Sequence, residues 1–161
     1  MLSKGQKVMY GTNGVCSVEG TTVKHIAGSD IEYYVLKPLG AQTQTLFVPV
    51  KNLELIGKIR DIASADEVRQ ILDDLPDIGE WNDNKIDRTE AFRSTIVHGD
   101  CVQLVAMIRL IHRHAREQQE NGKHLHLSDE RILKEAEKMV SEEFSQALGV
   151  ERDTIIPMLL K

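Results

Sequence analysis

The chain has 161 residues, 41% apolar and 28% charged, which is the mix of a folded domain with a real core and excludes a wholly disordered chain. Its longest aliphatic run, Leu104 to Ile108, is ended by Arg109, far short of the roughly 20 apolar residues that a membrane helix needs. The net charge of −5 is unevenly spread: residues 1–60 hold seven Lys/Arg against four Asp/Glu, and residues 61–161 hold 13 against 21, so two modules with different partners are expected.

The first 56 residues read as β-structure. Val8-Met9-Tyr10 leads into Gly11-Thr12-Asn13-Gly14, where Asn-Gly supplies positive φ cheaply. Val15 to Glu19 alternates, and Thr21 to Ile26 continues the strand. Gly28-Ser29-Asp30 is a second turn. Ile31 to Leu36 is rich in β-branched and aromatic residues, a strand signal. Thr45 to Val50 is a short strand in which Pro49 belongs at an end or an edge. Turns about every ten residues point to a small antiparallel barrel.

The period changes near Gly57, and residues 57–61 read as a linker. Ser64 and Glu67 form a capping box for a first helix whose Val68, Ile71, Leu72 and Leu75 share a face. Pro76 stops it, and Asp77 to Trp81 is a connector. Asn82 or Asp83 is expected to cap a second helix ending near His98-Gly99. Asp100 caps a third, whose Val102, Val105, Met107, Ile108, Leu110 and Ile111 cover most of its circumference and predict a buried central helix. Asn121-Gly122 ends it. Ser128-Asp129-Glu130 is expected to start a fourth helix, with acids in its first turn. Gly149 closes that helix, and Asp153 to Leu160 is a short fifth piece. The fold class is α+β by segregation: a β module over residues 1–60, then an all-α bundle over residues 61–161.

Few residues are marked for chemistry. His112 and His114 are two apart and diverge on a helix, so a metal site is not expected. Cys101 follows a helix cap, which lowers a thiol's pKa, but its aliphatic neighbours favour a core-packed thiol. Phosphate-cradling loops and nucleophile-elbow or zinc-protease motifs are absent, so neither an enzyme nor a cofactor is expected. The opening Met1 to Gly5 has no apolar stretch behind a basic head, so no secretory signal is expected. With Cys16 and Cys101 far apart, free thiols in a reducing cytoplasm are expected rather than a disulfide.

Two features stay open. Trp81 is the only tryptophan, in a connector before Lys85 and Arg88. It is either a core plug or an exposed wedge that intrudes at base steps while nearby cations hold phosphates. Arg109, Arg113 and Arg116 form one stripe on the third helix. That stripe is either a solvated face with local ion pairs such as Arg113–Glu117, or a phosphate-backbone contact.

Ordered along the chain, these segments resemble the bacterial CarD/CdnL family of RNA polymerase-binding transcription regulators. The likeness rests on Lys4 to Tyr10 with Gly14-Val15, on Glu32 to Leu36 followed by Leu46 to Val50, on Trp81, and on the turn His98-Gly99-Asp100. The resemblance implies a Tudor-like β domain, shared with transcription-repair coupling factor, that docks on the polymerase β subunit. It implies a helical domain that contacts promoter DNA, where a tryptophan wedges into the minor groove at the upstream bubble edge and stabilises the open complex. By the same resemblance, Lys24, Phe47 and Pro49 are the polymerase-binding residues, with Phe47 standing where some members carry a second arginine, so that its contact is expected to be apolar or absent. Lys24 stands where members can carry an arginine, and keeps the charge without the fork. Trp81, Lys85 and Arg88 are the DNA-binding residues that the resemblance implies, and Arg109 and Arg113 join them as the phosphate-contact reading of the stripe on the third helix. The implied protein is a monomer, located on the nucleoid through polymerase and not at a membrane. Because Asp83 and Asn84 replace arginines found in some members, weak, sequence-nonspecific DNA binding is expected. The alternative is a polymerase-docked protein–protein adaptor with little DNA binding of its own.

Overall fold

A computed structural model of the chain describes residues 1–40 and 44–161. The chain divides into two compact units, Met1–Ile62 and Ala63–Lys161. The first is an antiparallel sheet and the second is helical, the α+β segregation expected from the change of period.

Five strands build the first unit: β1 (Lys7–Tyr10), β2 (Val15–Ile26), β3 (Ser29–Pro38), β4 (Leu46–Pro49) and β5 (Ile59–Asp61). They lie in the order β4-β3-β2-β1-β5, every neighbouring pair antiparallel. Among the described residues, β4 and β5 are edges with no ladder between them. The sheet nonetheless wraps one core of Val8, Cys16, Val18, Tyr34, Leu36 and Val48, drawn from β1 through β4. A short helix, α1 (Leu53–Ile56), is capped by Asn52, whose side chain accepts the Leu55 N–H. It leads into β5, which pairs with β1 from Tyr10↔Ile59 to Val8↔Asp61. Sequence reading took this stretch for a linker, since three residues carry no usable period.

A bulge in β2 decides which face its outer half presents. The register with β3 slips between Val18↔Leu36 and Gly20↔Val35, leaving Glu19 as the extra residue, with Gly20 at φ +129°. Cys16 and Val18 therefore point into the core, whereas Thr22 and Lys24 fall beside the outward residues Ile31 and Tyr33. The hairpin tip turns through Ala27 (φ +50°) and Gly28 (φ +80°). Ala27 holds a left-handed conformation that costs a β-carbon roughly 1–2 kcal/mol.

The second unit holds α2 (Ala65–Asp73), α3 (Lys85–His98), α4 (Cys101–Glu120), α5 (Leu127–Leu148) and α6 (Ile155–Leu159). Ser64 caps α2, and Asp100 caps α4 in a reciprocal box with Gln103. Asn84 caps α3, one residue beyond Asp83 and two beyond Asn82, the caps expected, because it accepts from both Ile86 and Asp87 N–H. The start of α5 is corrected as well. It begins at Leu127, so Ser128 lies in its first turn; Asp129 and Glu130 stand in that turn as expected, with Asp129 buried. Gly149 ends α5 in the left-handed conformation.

The central element is α5 rather than the predicted α4. It touches α2, α3, α4 and α6 and buries Ile132, Ala136, Val140 and Phe144 along its length. Val102 of α4 is exposed, so that helix keeps one solvent face. The charges of α5 hid its role in the sequence: the buried Glu143 accepts the Ala63 N–H at 2.8 Å.

The turn between α3 and α4 explains one motif residue. Gly99 donates its N–H to the Thr95 carbonyl at 2.8 Å, and a β-carbon there would lie 2.4 Å from that oxygen. Backbone would have to move to admit it. Gly99→Ala is expected to lower stability by about 1–3 kcal/mol, read as a drop in the denaturation midpoint; an unchanged midpoint would refute the close approach.

Candidate functional site

The first unit gathers its predicted residues on one outward sheet face. Lys24 Nζ lies 3.5 Å from the centroid of the Phe47 ring and 5.8 Å from that of Tyr33. Tyr33 and Phe47 meet edge to face at 6.3 Å. Pro49 is the ladder partner of Tyr33, and Phe47 that of Val35. Lys24 and Tyr33 are diagonal neighbours across β2 and β3, within reach of long side chains. The structure therefore brings Lys24, Phe47 and Pro49 together and adds Tyr33, which sequence reading used only as a strand former. Alternate positions in β3 and β4 mark Tyr33 and Phe47 as outward. The matching phase of Lys24 depends on the bulge, for which Gly20 is the one visible signal.

Phe47 is 41% exposed, and Lys24 is also exposed. An exposed cation–aromatic contact contributes about 0.5–1 kcal/mol, enough to hold the ammonium over the rings without removing it from solvent. Such a face presents a positioned cation on an apolar platform. It suits a partner that offers a carboxylate beside apolar side chains. Beside it, β4 presents one strand edge without a ladder partner among the described residues.

In the second unit, Trp81 lies in the irregular connector between α2 and α3. The residue is half-buried, between the buried plug and the exposed wedge that the sequence leaves open. It stacks on His114 of α4 with centroids 3.7 Å apart and planes 4° from parallel. Phe92 of α3 meets it at 5.8 Å, and the Arg88 guanidinium carbon lies 4.7 Å from its centroid. Trp81 is thus neither a core plug nor a free wedge, but an aromatic docked on the surface of the helices. Its partners His114 and Phe92 carry no sequence signal: Phe92 lies on the next helix and His114 on the one after it, and local spacing does not say that either turns to the connector.

The cations expected around it divide. Lys85 is exposed, whereas Arg88 is only 3% exposed. Arg88 Nε and Nη2 donate to the two carboxylate oxygens of buried Asp129 at 3.1 and 3.0 Å, and Nη1 donates to the Asn82 carbonyl at 2.9 Å. Of the two cations expected to hold phosphates beside Trp81, Lys85 alone faces outward. Arg88 has its fork committed and is not placed to meet a phosphate. Arg109 donates to the carbonyls of Pro76 (2.7 Å) and Leu159 (3.1 Å). Arg113 donates to the Gly79 carbonyl at 2.9 Å and lies 3.8 Å from Glu117. Both turn inward onto the connector more than outward, and Arg116 stays exposed.

No group of three or more His, Cys, Asp or Glu is placed to hold a metal among the described residues. Cys16 and Cys101 are buried thiols. No helix among the described residues is long and apolar enough to cross a membrane.

The chain thus carries a five-stranded antiparallel unit with a cation–aromatic face, followed by helices that display a docked tryptophan. Residues 2–63 match the CarD-like/TRCF RID domain, so the first unit belongs to that domain family. The match covers that unit from its second residue and associates the protein with RNA polymerase and transcription regulation. No curated protein matches the chain.

The stack is expected to make Trp81 report on the protonation of His114. Burial lowers the pKa of His114; Glu117 opposes this, Arg88 adds to it, and Asp129 and Asp83 oppose it, the net direction being down. A histidine that is easier to deprotonate when docked favours the docked state at neutral pH. That stabilisation is complete above the ordinary histidine pKa of about 6.5 and is lost as pH falls below it towards the lowered value. Since Trp81 is the sole tryptophan, its fluorescence is expected to change on acidification with a midpoint below that of an exposed histidine. In His114→Gln the transition should vanish, and a wild-type titration in that variant would refute the assignment.

Proposed function

We propose that this protein is a transcription regulator that docks on the RNA polymerase β subunit through its first unit and stabilises the promoter open complex through Trp81. Docking uses the face of Lys24, Tyr33, Phe47 and Pro49, together with the free edge of β4, in the manner of strand addition. The observation that carries this reading is the family match over the unit bearing that face. Trp81 then acts at the upstream bubble edge, where an aromatic ring wedged at a base step hinders bubble collapse. Lys85, exposed at the start of α3, supplies a nearby cation. The protein works as a binding factor, without a catalytic step or cofactor. Tethering to polymerase raises the local concentration of DNA, so a weak contact suffices.

A second reading has an observation of its own. The second unit is acidic, and Arg88, Arg109 and Arg113 donate to acceptors inside it. That composition fits an adaptor in which the helices bind another protein. Gel shifts with promoter DNA, with and without polymerase, separate the readings: the leading one requires a supershift of the polymerase–promoter complex that depends on Trp81.

Docking is tested by Lys24→Glu in the full chain. Reversing the charge over the rings should weaken polymerase capture about tenfold, or about 1.4 kcal/mol. Capture at wild-type strength would refute this face as the docking surface.

The promoter contact is tested by Trp81→Ala. Stacking on a base is worth about 1–3 kcal/mol, so open-complex lifetime should fall roughly five- to a hundredfold while polymerase capture persists. Melting of the free variant controls for the loss of contact with His114 and Phe92. An unchanged lifetime would refute the wedge and favour the adaptor.

A further inference from the structure

The connector from Asp74 to Asn84 has no helix or strand, so its backbone carbonyls must find partners outside a ladder. Three are met by arginines. Arg109 takes the carbonyl of Pro76, Arg113 that of Gly79, and Arg88 that of Asn82. These acceptors recur every three residues and bracket Trp81. Arg109 and Arg113 stand one turn apart on α4, and His114, which stacks on the ring, is the next residue. Arg109 is itself fixed by a second bond, from Nε to the Leu159 carbonyl near the end of α6.

From this geometry we infer that Arg109 and Arg113 are positioning residues for Trp81. They act by strapping the connector backbone to α4, so that the ring is delivered onto His114, and not by binding phosphate. The functional part of this inference rests on the proposed role of Trp81; the structural part does not. Charge alone does not meet the requirement. Arg109 holds two carbonyls through two different nitrogens of one rigid fork, which an ammonium does not reproduce.

The test exploits Trp81 as the only tryptophan of the full-length chain. The double variant Arg109→Lys/Arg113→Lys preserves charge and removes both forks. In the free protein, acrylamide quenching of Trp81 is expected to rise at least about twofold with a red-shifted emission, while far-ultraviolet circular dichroism keeps its helical signal. Should the double variant unfold, Arg113→Ala alone removes one half-exposed strap and is expected to give the same change in smaller measure. Unchanged quenching in a folded variant overturns the inference whatever Trp81 does on DNA.

On polymerase–promoter complexes, the double variant should shorten open-complex lifetime, and adding Trp81→Ala should shorten it no further. Lifetimes preserved by the lysines, with alanine variants whose effects add to that of Trp81→Ala, would instead make the arginines direct phosphate contacts and overturn the positioning role. If quenching rises while neither Trp81→Ala nor the double variant alters lifetime, the strap stands and the proposed promoter role fails.

Discussion

The arrangement of the helical unit depends on one buried ion pair. Arg88 and Asp129 are almost wholly removed from solvent and face each other through two parallel hydrogen bonds. Such a pair gains little net stability, because desolvation offsets most of its attraction. Its value is geometric: either charge left alone would cost about 3–5 kcal/mol, so the helices must bring both together. The pair fixes α3 against α5 and leaves one guanidinium nitrogen for the Asn82 carbonyl. The same guanidinium carbon lies 4.7 Å from the centre of the Trp81 ring. One side chain therefore joins the packing of two helices to the placement of the connector and its aromatic residue.

A comparable constraint acts in the β unit through backbone rather than charge. The bulge at Glu19 inserts one residue into β2 and reverses its alternation. Without it, Lys24 would share the phase of Cys16 and Val18 and point toward the core side of the sheet. Gly20, at φ +129°, supplies a conformation that side-chain-bearing residues rarely adopt. The cation–aromatic face thus depends on a glycine that touches none of its members.

Much of the fold was legible because periodicity reports burial. The alternating strands and the capped helices α2 and α4 follow from local pattern and cap chemistry. Strand β5 was not legible, since three residues joined to β1 across the sequence carry no pattern of their own. The rank of α5 was hidden because acids such as Asp129 and Glu143 carry no local mark of burial, yet each is buried with a partner supplied from elsewhere: Arg88 on α3 and the Ala63 N–H. The candidate sites divide in the same way. Lys24 and Phe47 lie within one hairpin and its neighbouring strand, where strand order is nearly given by sequence. Around Trp81, the stack on His114 and the inward turn of Arg88, Arg109 and Arg113 are long-range choices. Spacing placed these arginines on a stripe without saying that it faces a connector.

That inward turn changes what charge can contribute. With Asp61 in the first unit, the second holds 13 Lys/Arg against 20 Asp/Glu. Arg69, Arg93 and Arg152 donate to carboxylates of the same unit, while Arg88, Arg109 and Arg113 hold the carbonyls already described. The positive charge open to a polyanion is thus smaller than the composition implies. Binding driven by counterion release needs several exposed cations on one face, and around Trp81 the structure offers Lys85 among Glu80, Asp83 and Asp87, all exposed. In the proposed promoter role, specificity of place must come from docking by the first unit. Retention must come from the uncharged stacking energy of one ring. A factor built this way would leave free DNA alone and act where polymerase has already exposed a base step.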